Sequence, residues 1–155
     1  MDNHSKRLCG RAGMIIWFVI SLLVAIGIFI SSSIEGGDSN YASMGIAYSL
    51  QRVMPFSVET LNFIVRKGTH FVVFFVLGFC VAYSLKFHVQ KHLKLLLLAW
   101  GIAAVYGVLD EIHQYFVPGR EMALLDMVIN AVGAFLGAGV VVWVLKKRAM
   151  TIGKG

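Results

Sequence analysis

The sequence predicts an all-α, polytopic membrane protein with four transmembrane helices, and three observations carry that expectation. Of its 155 residues, 58% are hydrophobic and only 14% charged, with a mean hydropathy of +0.77. That is more apolar surface than a water-soluble chain of this size can bury. The apolar residues fall in long blocks, without helical or strand alternation, as in helices whose outsides face hydrocarbon. Basic residues gather in one set of connecting segments and acidic residues in the other. A single membrane domain, 1–155, is the economical expectation.

The first block runs from Met14 to Ile30 with only Ser21 as a polar member, and Ser31 to Ser33 extend it. This span, about 14–33, is long enough to cross roughly 30 Å at about 1.5 Å per residue. Lys6, Arg7 and Arg11 precede it in the manner of a signal peptide. The apolar stretch nevertheless exceeds the roughly 7 to 15 residues of a signal core, so an uncleaved anchor is expected. Further spans are expected at about 69–85, 93–109 and 124–145. Lys86 to Lys94 make a short basic hairpin link between the second and third. The one long connection, Ile34 to Gly68, contains Gly36-Gly37 and Pro55 as breakers. On either side of Pro55, Tyr41 to Met54 and Ser57 to Lys67 carry apolar residues at three- and four-residue spacing, which predicts short interfacial helices in the first outer loop.

Orientation follows from Lys and Arg, which stay cytoplasmic near the ends of spans. With both termini inside, the cytoplasmic segments hold Lys6, Arg7, Arg11, Lys86, Lys91, Lys94, Lys146, Lys147, Arg148 and Lys154. The outer segments hold Arg52, Arg66, Lys67 and Arg120, together with every acidic residue except Asp2. The net charge of +6 is thus an orientation signal, and no basic stretch is interleaved with aromatics, so no nucleic-acid partner is expected. Cys9 and Cys80 offer neither a disulfide framework nor a metal motif.

Several polar residues are left over, and all map to the outer ends of spans two, three and four. Lys67 and His70 share a helix face at the start of span two. Asp110, His113 and Gln114 share one at the end of span three, beside Glu111. The turn Val117-Pro118-Gly119-Arg120 then leads to Asp126 and Asn130, one turn apart on span four. Asn130, Gly133 and Gly137 continue as a stripe containing a GxxxG, so span four is expected to pack centrally. Singly, each admits a structural role: His70 as an interfacial histidine, Arg120 as a partner of Asp126 or Glu111, Asn130 as interhelical glue, Arg66 and Lys67 as snorkelling cations. Together they put two histidines, three carboxylates, a lysine, an arginine and two amides at one membrane depth. Structural glue seldom needs so many ionisable groups, which marks a ligand or reaction site.

The ordered set Arg66-Lys67-x-x-His70-Phe71, Asp110-Glu111-x-His113-Gln114-x-Phe116-x-Pro118-Gly119-Arg120 and Asp126-x-x-x-Asn130-x-x-Gly133 resembles the VanZ-like family. The resemblance covers roughly 31–137, including the serine-rich end of span one, and departs at Ala123, where many relatives carry a serine. It implies a bacterial cell-membrane protein, because the family takes its name from an accessory protein of glycopeptide-resistance clusters associated with teicoplanin. It carries no mechanism. The phosphotransbutyrylase label given to some relatives finds no support in a chain without a phosphate-cradling glycine loop.

Three function classes follow. The first is a binding or modulating protein of the outer leaflet, in which Lys67, His70, Asp110, Glu111, Gln114, Arg120, Asp126 and Asn130 face membrane lipid, a lipid-linked cell-wall precursor or a glycopeptide. The second is an enzyme on an envelope lipid, with Glu111, His113 and His70 as acid and base and Arg120 stabilising negative charge. No HExxH or comparable spacing suggests a metal, and no cofactor is expected. The third, a proton-linked transporter, lacks polar groups through the inner halves of the spans.

Overall fold

In lipid every backbone polar group must find its partner within the chain, and helices meet that demand locally. The computed structural model describes residues 3–152, with side chains from Arg11 to Thr151. Asp2 and Lys154, and the side chains of Lys6, Arg7 and Cys9, lie outside the described residues. The described chain is helical without strands: α1 (Asn3–Ser32), α2 (Gly36–Gln51), α3 (Val58–Leu85), α4 (His92–Tyr115) and α5 (Leu124–Ile152). Four stretches, Arg11–Ser32, Val58–Leu85, His92–Tyr115 and Leu124–Thr151, are long and apolar enough to cross a membrane. The protein is therefore a multi-pass membrane protein, as its hydropathy predicts.

Two expectations change. Tyr41 to Met54 falls largely within α2, but Ser57 to Lys67 is not a separate surface helix: it is the first part of α3. Ser57 caps that helix by accepting from the Thr60 backbone N–H at 3.3 Å. Gly68 does not break it, since a lone glycine costs a helix only about 1 kcal/mol relative to alanine. With 28 residues, α3 is about 42 Å long, more than the roughly 30 Å of hydrocarbon, so part of it stands outside. Its first turns receive α2 through Ala47, Val58 and Leu61, with Met44 and Leu50 beside them. Asn62 Nδ2 donates to Asn40 Oδ1 at 2.9 Å across that contact.

The second change concerns the centre of the bundle. α5 does pack through its glycine stripe, but it touches only α3 and α4 among the described helices, whereas α3 touches all four others. The hub is α3 because it has two packing faces. Phe74 and Leu77 meet Ile28 of α1, Ala103 of α4 and Ala134 of α5 in the main core. On the other face, the backbone of α3 lies against α5, which runs parallel to it. A Cβ on Gly78 would collide with the Ala134 carbonyl, and one on Gly137 with the Phe75 carbonyl. Alanines 82, 99 and 138 continue the close approach in a second cluster with Val141. Aromatic tips in the core reach backbone acceptors: Tyr106 donates to Ala25 O at 2.6 Å and Trp100 to Ala131 O at 3.0 Å. Cys80 is buried with a free thiol.

This topology sorts the charges by end. The C-terminus of α3, the N-terminus of α4 and the C-terminus of α5 bring Lys86, Lys91, Lys94, Lys146, Lys147 and Arg148 to one end. The end of α1, all of α2, the start of α3, the end of α4 and the start of α5 form the opposite, polar end.

Gly137→Val places a branched side chain where backbone stands, so it is expected to lower stability by about 1–3 kcal/mol or more. Gly101→Ala, at a glycine with open space around it, should be neutral or slightly stabilising. Thermal unfolding of both variants in the same detergent checks the difference.

Candidate functional site

At the polar end, the α3–α5 interface sets the first pair of contacts. Lys67, almost three turns into α3, meets Asp126 in the first turn of α5, and the Lys67 ammonium donates to both carboxylate oxygens at 2.6 and 2.8 Å. One turn further on each helix, His70 Nδ1 faces Asn130 Oδ1 at 3.2 Å. Asn130 is fully buried, as an amide between helices must be if it is not to meet lipid.

Glu111 enters this layer from α4 and is itself fully buried. Its Oε2 accepts the Ala123 backbone N–H at 3.2 Å, at the start of α5. A helix start leaves donors unsatisfied and carries partial positive charge, so a carboxylate there is stabilising. The alanine at position 123, where the family resemblance leads one to expect a serine, has no side-chain oxygen to cap with. Glu111 Oε1 points toward His70 Nδ1 at 3.7 Å and has no hydrogen-bond partner among the described residues, nor has Asn130 Nδ2. Donor atoms of His70, Glu111 and Asp126 all lie within 4.8 Å of one another. No sequence spacing could reveal that group, because its members come from three helices.

A second layer is organised by Arg120. The turn that carries it is held against the start of α2, with Gly36 N–H donating to Pro118 O at 3.0 Å. Gly119 takes a φ of 71°, which glycine adopts without strain. Arg120 then reaches four acceptors: Ile34 O at 3.1 Å, Gln114 Oε1 at 3.0 Å, Ser31 O at 3.2 Å and Ser39 Oγ at 3.0 Å. It joins the end of α1, the start of α2 and the end of α4. Among the described residues it has no carboxylate within ion-pair distance, so the expected pairing with Asp126 or Glu111 is replaced by neutral acceptors. Lys67 already holds both Asp126 oxygens, and Glu111 is turned to the Ala123 N–H. Burial lowers the Arg120 pKa from its ordinary value, with repulsion from Arg66 adding to the effect and Asp110, Glu111 and Asp126 opposing it. A guanidinium remains cationic throughout the physiological range. Gln114 completes the layer by donating to Ser32 Oγ at 3.1 Å and Asp110 Oδ2 at 2.9 Å.

The nine residues picked out in the sequence are therefore sorted into three places. Lys67, His70, Glu111, Asp126 and Asn130 form the inner layer; Asp110, Gln114 and Arg120 form the second. His113 stands apart, stacked on Phe29 and sharing a 3.0 Å hydrogen bond with Ser33 Oγ, so it does not join His70 and Glu111. Ser31, Ser32, Ser33 and Ser39 each meet one of these nine residues, and the serine-rich end of the first span is the sequence signal for the first three.

Between α1, α2 and α3 lies a cleft of about 510 Å³, within the roughly 300–1,000 Å³ of small-molecule sites. α1 and α2 do not pack on one another among the described residues, and the space between them is the cleft. Val24, Ile28, Ile46, Val72 and Val76 line its apolar length, and Arg66, His70, Asp38, Asp110, Gln114 and Arg120 its polar end. Arg66, taken in the sequence for a snorkelling cation, is exposed at this end and has no protein hydrogen-bond partner among the described residues.

Ala123→Ser supplies the missing N-cap oxygen and is expected to raise stability by about 0.5–1.5 kcal/mol. Arg120→Lys keeps the charge but not the four-way hydrogen bonding, and is expected to lower stability by about 1–3 kcal/mol. Faster amide exchange across 33–43 in the lysine variant, measured by mass spectrometry, localises the loss to the clasp.

Comparison with curated proteins and comparison with solved structures each return no match. A family model described as VanZ/LLP1 matches residues 17–146, a range that takes in part of all five helices and every residue of both polar layers. The ordered motifs, the four spans and this match agree: the chain belongs to the VanZ/LLP1 family.

Proposed function

We propose that this protein binds a phosphate-bearing amphiphile of a bacterial cell membrane, an anionic lipid or a lipid-linked cell-wall precursor, in the cleft between α1, α2 and α3. Through that binding it modulates cell-envelope or glycopeptide susceptibility, teicoplanin being the glycopeptide the family resemblance suggests. The polar end faces the outer leaflet and both termini are cytoplasmic, in keeping with the basic residues at the other end of the bundle. The observation that carries the reading is the shape of the cleft: apolar along the bundle and ending at two guanidinium groups, Arg66 and Arg120, neither of which has an ion-pair partner among the described residues.

That combination matches an acyl chain joined to a phosphate, which guanidinium groups bind through charge-assisted hydrogen bonds. Asp38 and Asp110 also reach the polar end. They suit hydroxyl or ammonium donors on the same headgroup, as in a sugar- or amine-bearing phospholipid. Arg120 is pre-positioned by its four neutral acceptors, so its charge is directed without being cancelled.

A second reading, an enzyme acting on the same amphiphile, is favoured by one observation. His70 lines the cleft while its Nδ1 is held from behind by Asn130, with the Glu111 carboxylate 3.7 Å away, the arrangement that orients an imidazole for acid or base work. In that reading the placement of His113 removes it from the reaction.

Native mass spectrometry of the detergent-purified protein, titrated with phospholipids of defined headgroup, tests the proposal. Arg66→Gln is expected to weaken retention of phosphate-bearing lipid about tenfold, the effect of one charge-assisted hydrogen bond. Gly27→Phe fills the cleft where a Cβ meets nothing, and is expected to abolish retention without loss of fold. Lipid retention unchanged in both variants contradicts the proposal. Loss of product formation in Glu111→Gln, with lipid binding intact, selects the enzyme.

A further inference from the structure

The inner polar layer has more negative than positive charge at its disposal. Glu111 and Asp126 are buried carboxylates, and among the described residues the one ammonium within ion-pair distance of either, Lys67, is bonded to Asp126 through both oxygens. Glu111 is 0% exposed, and its Oε1 has no hydrogen-bond partner among the described residues. A carboxylate desolvated in this way needs a cation or a proton. What faces the orphan oxygen is an imidazole nitrogen, His70 Nδ1, at 3.7 Å, too far for a hydrogen bond. Asn130 turns its Oδ1 to the same nitrogen at 3.2 Å and leaves its amide Nδ2 unpartnered. Four donor atoms from three helices therefore converge on one small volume.

We infer that His70 Nδ1, Glu111 Oε1, an Asp126 carboxylate oxygen and Asn130 Oδ1 form a binding site for a divalent transition-metal cation, with zinc the best fit. The His70, Glu111 and Asp126 donors lie within 4.8 Å of one another. Ligands about 2.1 Å from a tetrahedral zinc stand roughly 3.4 Å apart, so the widest pair needs to close by about 1.4 Å at most. One imidazole with three oxygens suits zinc or manganese better than calcium or magnesium, whose sites are built from oxygen alone. The Ala123 N–H on Glu111 Oε2 acts as the outer hydrogen bond that orients a ligating carboxylate. When the cation binds, the proton of His70 resides on Nε2 and Nδ1 supplies the lone pair. Lys67 is the built-in competitor. It holds the Asp126 oxygens in the absence of metal, and because its side chain is 21% exposed it has room to swing away. This inference is independent of the amphiphile reading, since the cation uses the buried side of His70 and the amphiphile the cleft.

The test is isothermal titration of the full-length protein in detergent micelles with zinc chloride, with thermal unfolding in parallel. One zinc per chain is expected, with a rise in unfolding temperature. Glu111→Gln and His70→Ala should each weaken binding at least about tenfold, the scale on which even outer-shell changes act. Lys67→Met should tighten it by about the same factor, because Asp126 no longer has to release an ammonium. Lys67→Met removes the counter-charge of Asp126 and is expected to be less stable without zinc, which should restore its unfolding temperature; a gain of affinity in that variant cannot arise from misfolding. The inference is overturned if neither wild type nor Lys67→Met binds zinc saturably. It is equally overturned if binding survives His70→Ala and Glu111→Gln but disappears with His88→Ala and His92→Ala in the basic hairpin link.

Discussion

A carboxylate buried between membrane helices needs a counter-charge, and the Lys67–Asp126 ion pair meets that need between α3 and the first turn of α5. The pair is made from both carboxylate oxygens, and the remainder of the polar end is arranged from it. Lys67 precedes His70 by three residues and Asp126 precedes Asn130 by four, so joining the first two side chains places the second two opposite each other. Below them the parallel helices approach through Gly78 and Gly137, where a Cβ would meet backbone. The ion pair and the glycine contacts thus specify the same register from opposite directions, one electrostatically and one sterically. α4 then brings Glu111 to the start of α5, where its carboxylate serves in place of the cap that Ala123 lacks.

Arg120 performs the comparable task one layer out. Its acceptors belong to the end of α1, the start of α2 and the end of α4. Of these, α1 and α2 make no packing contact with each other among the described residues, while α4 also meets the end of α1 through Gln114–Ser32 and His113–Ser33. A single guanidinium therefore defines the mouth of the cleft and leaves its own charge free of carboxylate partners. This is why one residue is at once structural and suited to an anionic headgroup. Its removal is expected to disturb both roles, so the exposed and unpartnered Arg66 is the better probe of ligand binding alone.

Much of this was legible in the sequence because membranes impose simple rules. Block hydropathy located the four spans, and the three- and four-residue spacings of Lys67/His70, Asp110/Gln114 and Asp126/Asn130 placed their side chains on common faces. The pairings were not legible. Arg120 was expected to find Asp126 or Glu111, but which acceptor a long side chain takes depends on which neighbours are already occupied. His113 shares a helix face with Asp110 and Gln114, yet it sits at the edge of that face and meets α1 through Phe29 and Ser33. Gly68 looked like the end of a connection, although one glycine costs only about 1 kcal/mol and rarely outweighs a helix of 28 residues. The GxxxG of α5 suggested a central helix, but it reports close approach to one neighbour and not the number of neighbours. The proximity of His70, Glu111 and Asp126 depends on three helices together and has no linear trace.

The inner layer, the Arg120 clasp and the cleft make this end of the bundle a rigid polar mouth above an apolar groove, a form suited to gripping an amphiphile by its headgroup. Everything in that description depends on Lys67 and Asp126 being joined across α3 and α5. A double-mutant cycle of Lys67→Met and Asp126→Asn, read by thermal and denaturant unfolding in one detergent, tests that point directly. Each single variant should lose about 3–5 kcal/mol, as breaking a buried pair does, while the double variant should lose much less than their sum. Additive losses would mean that the two residues act independently and that the polar end is organised in some other way.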